Sequence, residues 1–170
     1  GDATLTMNGG TFEFIGKAGT HSRESMGSIT SNVGHNLLVL TPGLGGTVEL
    51  NPYSLSLNQG GTLEFTADGA DLGSDEATIR FLTTPALTNF VMNRSFITHS
   101  GDQDFATIDA VRGVIPFQDY VVDPPVLEGL PPNMHVRLTS GNYTLTADTQ
   151  LASLLLDARA GSWTLLAELL

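Results

Sequence analysis

Apolar and polar residues alternate over short stretches of this chain, and the alternation restarts after a pair of glycines. In GGTFEF, 9–14, Phe12 and Phe14 share one face of an extended strand while Thr11 and Glu13 share the other. The same pattern returns as GGTVEL at 45–50 and GGTLEF at 60–65. The longer frames LTMNGGTFEF and LSLNQGGTLEF align with one inserted residue, so Leu5, Met7, Asn8, Phe12 and Phe14 correspond to Leu55, Leu57, Asn58, Leu63 and Phe65. Self-similarity of this kind predicts a repeating strand unit.

A related run occupies 29–40, ITSNVGHNLLVL, and weaker echoes lie at 138–148 and 154–165. Gly10, Gly34, Gly61, Gly141 and Gly161 are read as equivalent bends, 24, 27 and 20 residues apart where the repeat is continuous. That spacing suits one coil of a β-solenoid. The recurrence of Asn in MNGG, SNVG and LNQGG predicts that Asn8, Asn32 and Asn58 stack as a ladder of side-chain amides. The expected architecture is all-β, a right-handed parallel β-helix with irregular loops and about seven short coils, each adding about 4.8 Å. The alternative is an antiparallel β-sandwich, because Asn8-Gly9 between two alternating runs is also a hairpin signal.

Two segments interrupt the alternation. Residues 66–76, TADGADLGSDE, read as an acidic loop, and 116–132 hold five of the eight prolines, which forbid a regular central strand. The chain accordingly divides into a main repeat unit, 1–120, a Pro-rich connector, 121–133, and the start of a second repeat unit, 134–170. Loops at 66–76, 91–104 and 116–133 are expected to be irregular. The run 151–160 has good helix formers but no polar face, and its alignment with the strand frame favours β.

Composition narrows the partners. Hydrophobic residues make up 41%, enough for a core, while charged residues are only 15% and Gly is abundant. The net charge of -11, with Lys17 the only lysine, repels nucleic acid and anionic membranes. Cysteine is absent, which excludes disulfides, thiolate metal sites and a cysteine nucleophile. No stretch reaches the roughly 20 apolar residues of a membrane-spanning helix. The abrupt start GDATLTMNGG and end SWTLLAELL lead us to expect a piece of a longer polypeptide, with open strand edges capable of self-assembly.

Several clusters carry the residue types of chemistry. His99, Ser100, Asp102 and Asp104 include those of a hydrolase triad, as do His21, Ser22 and Glu24 beside Arg23. Triads are assembled from distant segments, and no G-x-S-x-G elbow is present, so both clusters are read as polar loops. Asp68, Asp71, Asp75 and Glu76, and separately Asp102, Asp104 and Asp109, offer hard oxygen ligands for calcium, but in no known loop spacing. The four histidines lack paired metal spacing. Glu13, Glu49 and Glu64 sit at the same place in the three GGT-x-E copies, as a carboxylate row of a polysaccharide-acting β-helix would require. The competing reading is a row of outward charges that keeps strand edges soluble. Phe12, Phe14, Phe65, Phe81 and Phe105 fall at core positions, Trp163 is the single tryptophan, and no aromatic stripe for sugar binding is traced. Asn93-Arg94-Ser95 and Asn142-Tyr143-Thr144 match the glycosylation triplet as accidents of composition. No catalytic, cofactor-binding or metal residue is assigned.

The order LTMNGGTFEF, GSITSNVGHNLLVLTPG, LSLNQGGTLEF and then the stretch 84–120 resembles passenger segments of the autotransporter-associated β-strand repeat family of bacterial surface proteins. Pro85, Leu87, Thr88 and Asn89, then Phe105, Ala106 and Thr107, then Gly113 and Val114, and finally Tyr120 look like that family's closing segment. The resemblance implies a non-catalytic scaffold displayed outside a Gram-negative cell, a fibre or stalk subunit contacting neighbouring repeats or identical subunits. It also leaves open an adhesin that holds glycan or host protein through its loops. No cofactor is expected, with calcium at the acidic loops the minor alternative that those carboxylates leave open.

Overall fold

The computed structural model describes residues 3–157 and the backbone of 163–167. Every regular element in these residues is a strand, most strands pair in parallel, and the chain divides into two units, Gly1–Phe117 and Gln118–Leu170. The division falls between Phe117 and Gln118, so the whole Pro-rich connector 121–133 lies in the second unit.

The first unit opens with three successive strand triplets. These are β1 (Leu5–Met7), β2 (Gly10–Ile15) and β3 (His21–Met26); β4 (Ile29–Ser31), β5 (Gly34–Thr41) and β6 (Thr47–Pro52); and β7 (Leu55–Leu57), β8 (Gly61–Ala67) and β9 (Ala77–Ile79). Each strand pairs in parallel with the strand three places later, which generates the sheets β1-β4-β7, β2-β5-β8 and β3-β6-β9. In-register pairing stacks like on like. Phe12 lies beside Leu38 and Leu38 beside Phe65, and Ile29, Leu40, Leu50, Leu63 and Ile79 complete a solvent-free interior. Asn8 and Gly9 do not close a hairpin, because β1 and β2 enter different sheets; the antiparallel reading of that bend is overturned.

After β9 the pairing changes sense. The strands β10 (Leu87–Thr88) and β11 (Val91–Met92) form a hairpin, and β12 (Ser95–His99) adds in parallel to β8 before turning back through β13 (Asp102–Asp109) and β14 (Gly113–Pro116). The segment 91–104, expected as an irregular loop, is therefore strand and tight turn. Asn89 and Phe90, at φ 47° and 70°, and Ser100 and Gly101, at φ 47° and 81°, supply the paired positive φ values of two-residue hairpin turns. Within the first unit, pairing in complete parallel triplets thus extends over three rounds.

The second unit contains β15 (Val121–Val122), β16 (His135–Leu138), β17 (Gly141–Leu145), β18 (Ser153–Leu156) and β19 (Trp163–Ala167). Strands β15, β16 and β18 pair in parallel, as do β17 and β19, around a small core of Leu127, Val136, Leu138 and Tyr143. The run 151–160 is strand at 153–156, as its alignment predicts; residues 158–160 and the expected bend at Gly161 lie outside the described residues.

The bend register departs from the expected one at the first repeat. Gly34 pairs with Gly61, but Gly10 pairs with Asn36. Gly9 donates its N–H to Asn36 Oδ1 at 2.8 Å, so a buried amide side chain replaces a backbone partner at this corner. Asn36 Nδ2 in turn donates to Ser31 Oγ at 2.8 Å and to the Thr62 carbonyl at 3.2 Å, which satisfies its burial.

Candidate functional site

The three GGT-x-E copies do not align into one carboxylate row. Glu13 and Glu64 lie on the β2-β5-β8 sheet but are out of step, Glu13 opposite Val39 and Glu64 opposite Leu37. Glu49 is on β6, in a different sheet, opposite Arg23 and Thr78. The motif is a local solution for turning from a glycine corner into a strand, and the chain uses it at two different corners. The first and third copies, 51 residues apart, are separated by close to two strand offsets and share a sheet, whereas the second, 36 residues after the first, is not and does not.

What two of the copies share is a cross-strand clasp on histidine. In a parallel ladder, side chains at partner positions of adjacent strands stand on the same face about 4.8 Å apart, within reach of one another. His21 is the partner of Thr47, with Nδ1 2.6 Å from Thr47 Oγ1 and Nε2 3.4 Å from Glu49 Oε2. His35 is the partner of Thr62, with Nδ1 3.3 Å from Thr62 Oγ1 and Nε2 3.0 Å from Glu64 Oε2. Thr and Glu stand two residues apart on the outer face, so they grip both ring nitrogens of a histidine on the preceding strand. The second unit repeats the hydroxyl half of the arrangement, with His135 Nδ1 2.7 Å from its ladder partner Ser153 Oγ.

The environments of the two carboxylates differ. Glu49 is nearly buried and lies 3.6 Å from Arg23 and 3.7 Å from Arg80, so three basic groups surround one carboxylate. Glu64 accepts from Thr98 Oγ1 at 2.6 Å on the next strand. Glu13 accepts from Thr41 Oγ1 at 2.6 Å and is exposed. A hydroxyl, an imidazole and a carboxylate in line are also the parts of an acyl-transfer triad, which further needs amide donors facing the developing oxyanion. Beside Thr47 the amides are already spent: Thr47 N–H donates to the Thr20 carbonyl at 3.0 Å and Gly46 N–H to the Gly43 carbonyl at 2.7 Å. Beside Thr62, Leu63 N–H donates to the Arg94 carbonyl at 3.1 Å.

The remaining candidate clusters are dispersed. His99 and Asp102 are the last pair of the β12–β13 hairpin, and Ser100 in its turn donates both its N–H and its hydroxyl to the Asp71 carboxylate at 2.8 Å each. The Ser100 hydroxyl thus serves a loop on another part of the chain. Asp104 is buried and Asp109 sits at the far end of the same strand, holding the Val111 and Arg112 amides of the next turn at 2.8 and 2.7 Å. Those two amides draw the Asp109 carboxyl below its ordinary range. Ser22 Oγ accepts from Lys17 N–H at 2.8 Å, while Glu24 is the ladder partner of Leu50. In the acidic loop, Asp68 and Glu76 line one cavity of about 570 Å³ with the glycine corner 43–46, and Asp71 and Glu76 line another of about 550 Å³. Among the described residues no three His, Asp or Glu side chains converge at metal distance.

The amide ladder is the expectation that the geometry meets in full. Asn58 Nδ2 donates to Asn32 Oδ1 at 2.6 Å, and Asn32 Nδ2 to Asn8 Oδ1 at 3.0 Å. Ser28 and Ser54 add a second polar step, Oγ to Oγ at 2.8 Å. The histidine clasps and Asn36 escaped sequence reasoning. The available signal was the spacing of His21 and His35 from Thr47 and Thr62, 26 and 27 residues, which matches the strand offset itself. No family model, curated protein or solved structure matches the chain.

Proposed function

We propose that the first unit is a section of a right-handed parallel β-helix, and that the chain is a non-catalytic structural scaffold for display outside a Gram-negative-type cell. The observation that carries this reading is the in-register parallel pairing of three strand triplets, sealed on the outside by polar side chains that partner their own counterparts. Asn on Asn, Ser on Ser and His on Thr are interactions between neighbouring strands, and they consume the groups that catalysis would need free. The likeness to autotransporter-associated passengers in the order of motifs supports the same reading. Its partners are then neighbouring repeats or identical subunits. The adhesin reading stands second, favoured by the two cavities that the acidic loop lines.

The purified chain tests the proposal when it is incubated with pectin, alginate and mucin and then with a nonspecific protease. A scaffold releases no reducing or unsaturated ends and yields a long-lived fragment close to 1–117. Product formation that disappears in E49Q assigns the face to catalysis and ends the scaffold reading.

A further inference from the structure

At the corner that joins the sheets β3-β6-β9 and β1-β4-β7, the chain passes through Met26, Gly27 and Ser28 in one triplet and Pro52, Tyr53 and Ser54 in the next. Tyr53 N–H donates to the carbonyls of Met26 at 3.0 Å and Gly27 at 3.3 Å, which fixes its backbone under that corner. The Tyr53 side chain is 57% exposed although it stands beside the strand with the most buried interior, and Leu82 on its other side is 70% exposed. Gly27 puts no side chain over the ring. A cavity of about 370 Å³ results, lined by Thr4, Ser25, Met26, Ser28, Tyr53 and Leu82.

The lining is chemically selective. It holds one aromatic ring, two apolar side chains and three hydroxyls, and no Asp, Glu, Lys, Arg or His, in a chain of net charge -11. Ser28 Oγ meets Ser54 Oγ at 2.8 Å, which orients one hydroxyl. Ser25 is the ladder partner of Asn51, a residue 3% exposed whose Nδ2 has no hydrogen-bond partner, so a donor lies next to the polar wall. We propose that this corner is a binding subsite for a neutral saccharide, with Tyr53 as the stacking platform and Ser25, Ser28 and Thr4 as the hydroxyl-recognising wall. An uncharged lining leaves carboxylated sugars without a counter-ion, and an exposed ring edged by hydroxyls suits a pyranose, which has an apolar C–H face and a polar rim. The volume is at the small end of ligand sites, fitting one or two sugar rings. The subsite does not depend on the scaffold reading, since the strand pairing is the same whether the cavity is filled or empty.

The test is a ¹H–¹⁵N titration of the whole chain with lactose, cellobiose, mannobiose and laminaribiose, alongside sialyllactose and digalacturonate. Saturable shifts at residues 25–28 and 53–54 with at least one neutral disaccharide are expected, with Kd on the order of 1 mM. Removing the ring in Y53A weakens that binding about threefold to tenfold, the fold-change expected of one stacking contact, while Y53F stays close to the parent. Unchanged urea midpoints of both variants show that the loss is local. Absence of shifts with every neutral disaccharide, binding confined to the charged sugars, equal affinity in Y53A, or equal loss in Y53A and Y53F each overturns the proposal.

Discussion

Asn58 hands its amide hydrogen to Asn32 across 2.6 Å, and Asn32 does the same to Asn8, so one residue in the middle of the first unit is donor and acceptor at once. Each step joins strand triplets at a bend whose backbone is also linked, Asn32 N–H donating to the Met7 carbonyl at 2.9 Å and Asn58 N–H to the Ser31 carbonyl at 2.8 Å. Replacing Asn32 by Ala removes both steps and is expected to cost about 1–2 kcal/mol, the sum of two solvent-accessible hydrogen bonds, whereas N8A removes one and costs about 0.5–1 kcal/mol. Urea denaturation of the two variants measures the difference. Equal costs for N8A and N32A would show that the ladder is not additive and that the bends are held by something else.

The alternation that marks Phe12, Phe14, Leu63 and Phe65 as inward was readable because a strand with one dry face has no other period. The Asn ladder was readable for a related reason: stacked strands place like residues at like positions. The sheet assignment of Glu49 is not visible in the motif itself, since GGTVEL and GGTLEF share one local pattern but open β6 and β8, strands of different sheets. The hairpins after β9 were hidden as well. Phe90 adopts φ 70°, which a bulky residue takes only under tertiary constraint, so nothing local announces the turn. Asn36 resembles any polar residue in HNLLVL until the glycine pair of the preceding triplet is placed against it.

Phe65 occupies the centre of the interior, fully buried, between Leu38 and Ile97 in the ladder and edge-on to Phe81 at 6.4 Å. Truncation to Ala leaves a cavity with parallel strands on both sides that cannot close by a rotamer change. The expected cost is about 3–5 kcal/mol. A thermal or urea scan of F65A reads it directly, and an unchanged midpoint would place Phe65 outside the core.

Gly113 begins β14 at φ +77°, and a Cβ there would stand 2.1 Å from the Ile79 carbonyl oxygen. Both the backbone conformation and the contact with β9 therefore require glycine. Gly101, at φ +81° in the hairpin turn, has open space around the same position. G101A is expected to cost about 1 kcal/mol of backbone strain alone, and G113A more than about 3 kcal/mol, because the strand must move off Ile79 as well. Comparable midpoints for the two variants would show that β14 is free to shift.

Acid should loosen both units through carboxylates that bind backbone amides. The Arg112 and Val111 amides draw Asp109 down, the Thr139 hydroxyl and amide do so to Asp123, and the Thr146 amide to Glu128. A carboxyl whose folded pKa lies below its unfolded value adds stability above the unfolded value, about 4, and that stability is lost as pH falls through the folded one. At the alkaline end the sign is the same in logic but opposite in direction. Burial, with the Asp123 charge adding to it, raises the Tyr143 phenol, so the second unit loses stability as pH climbs past about 10. The Asp109 contribution is isolated by D109N, which should lower the urea midpoint at pH 7 and draw closer to the parent as pH falls below the ordinary carboxylate value of about 4 and Asp109 of the parent takes up its proton. A gap between D109N and the parent that is as wide at pH 2 as at pH 7 would mean that the turn depends on the shape of the side chain and not on its charge.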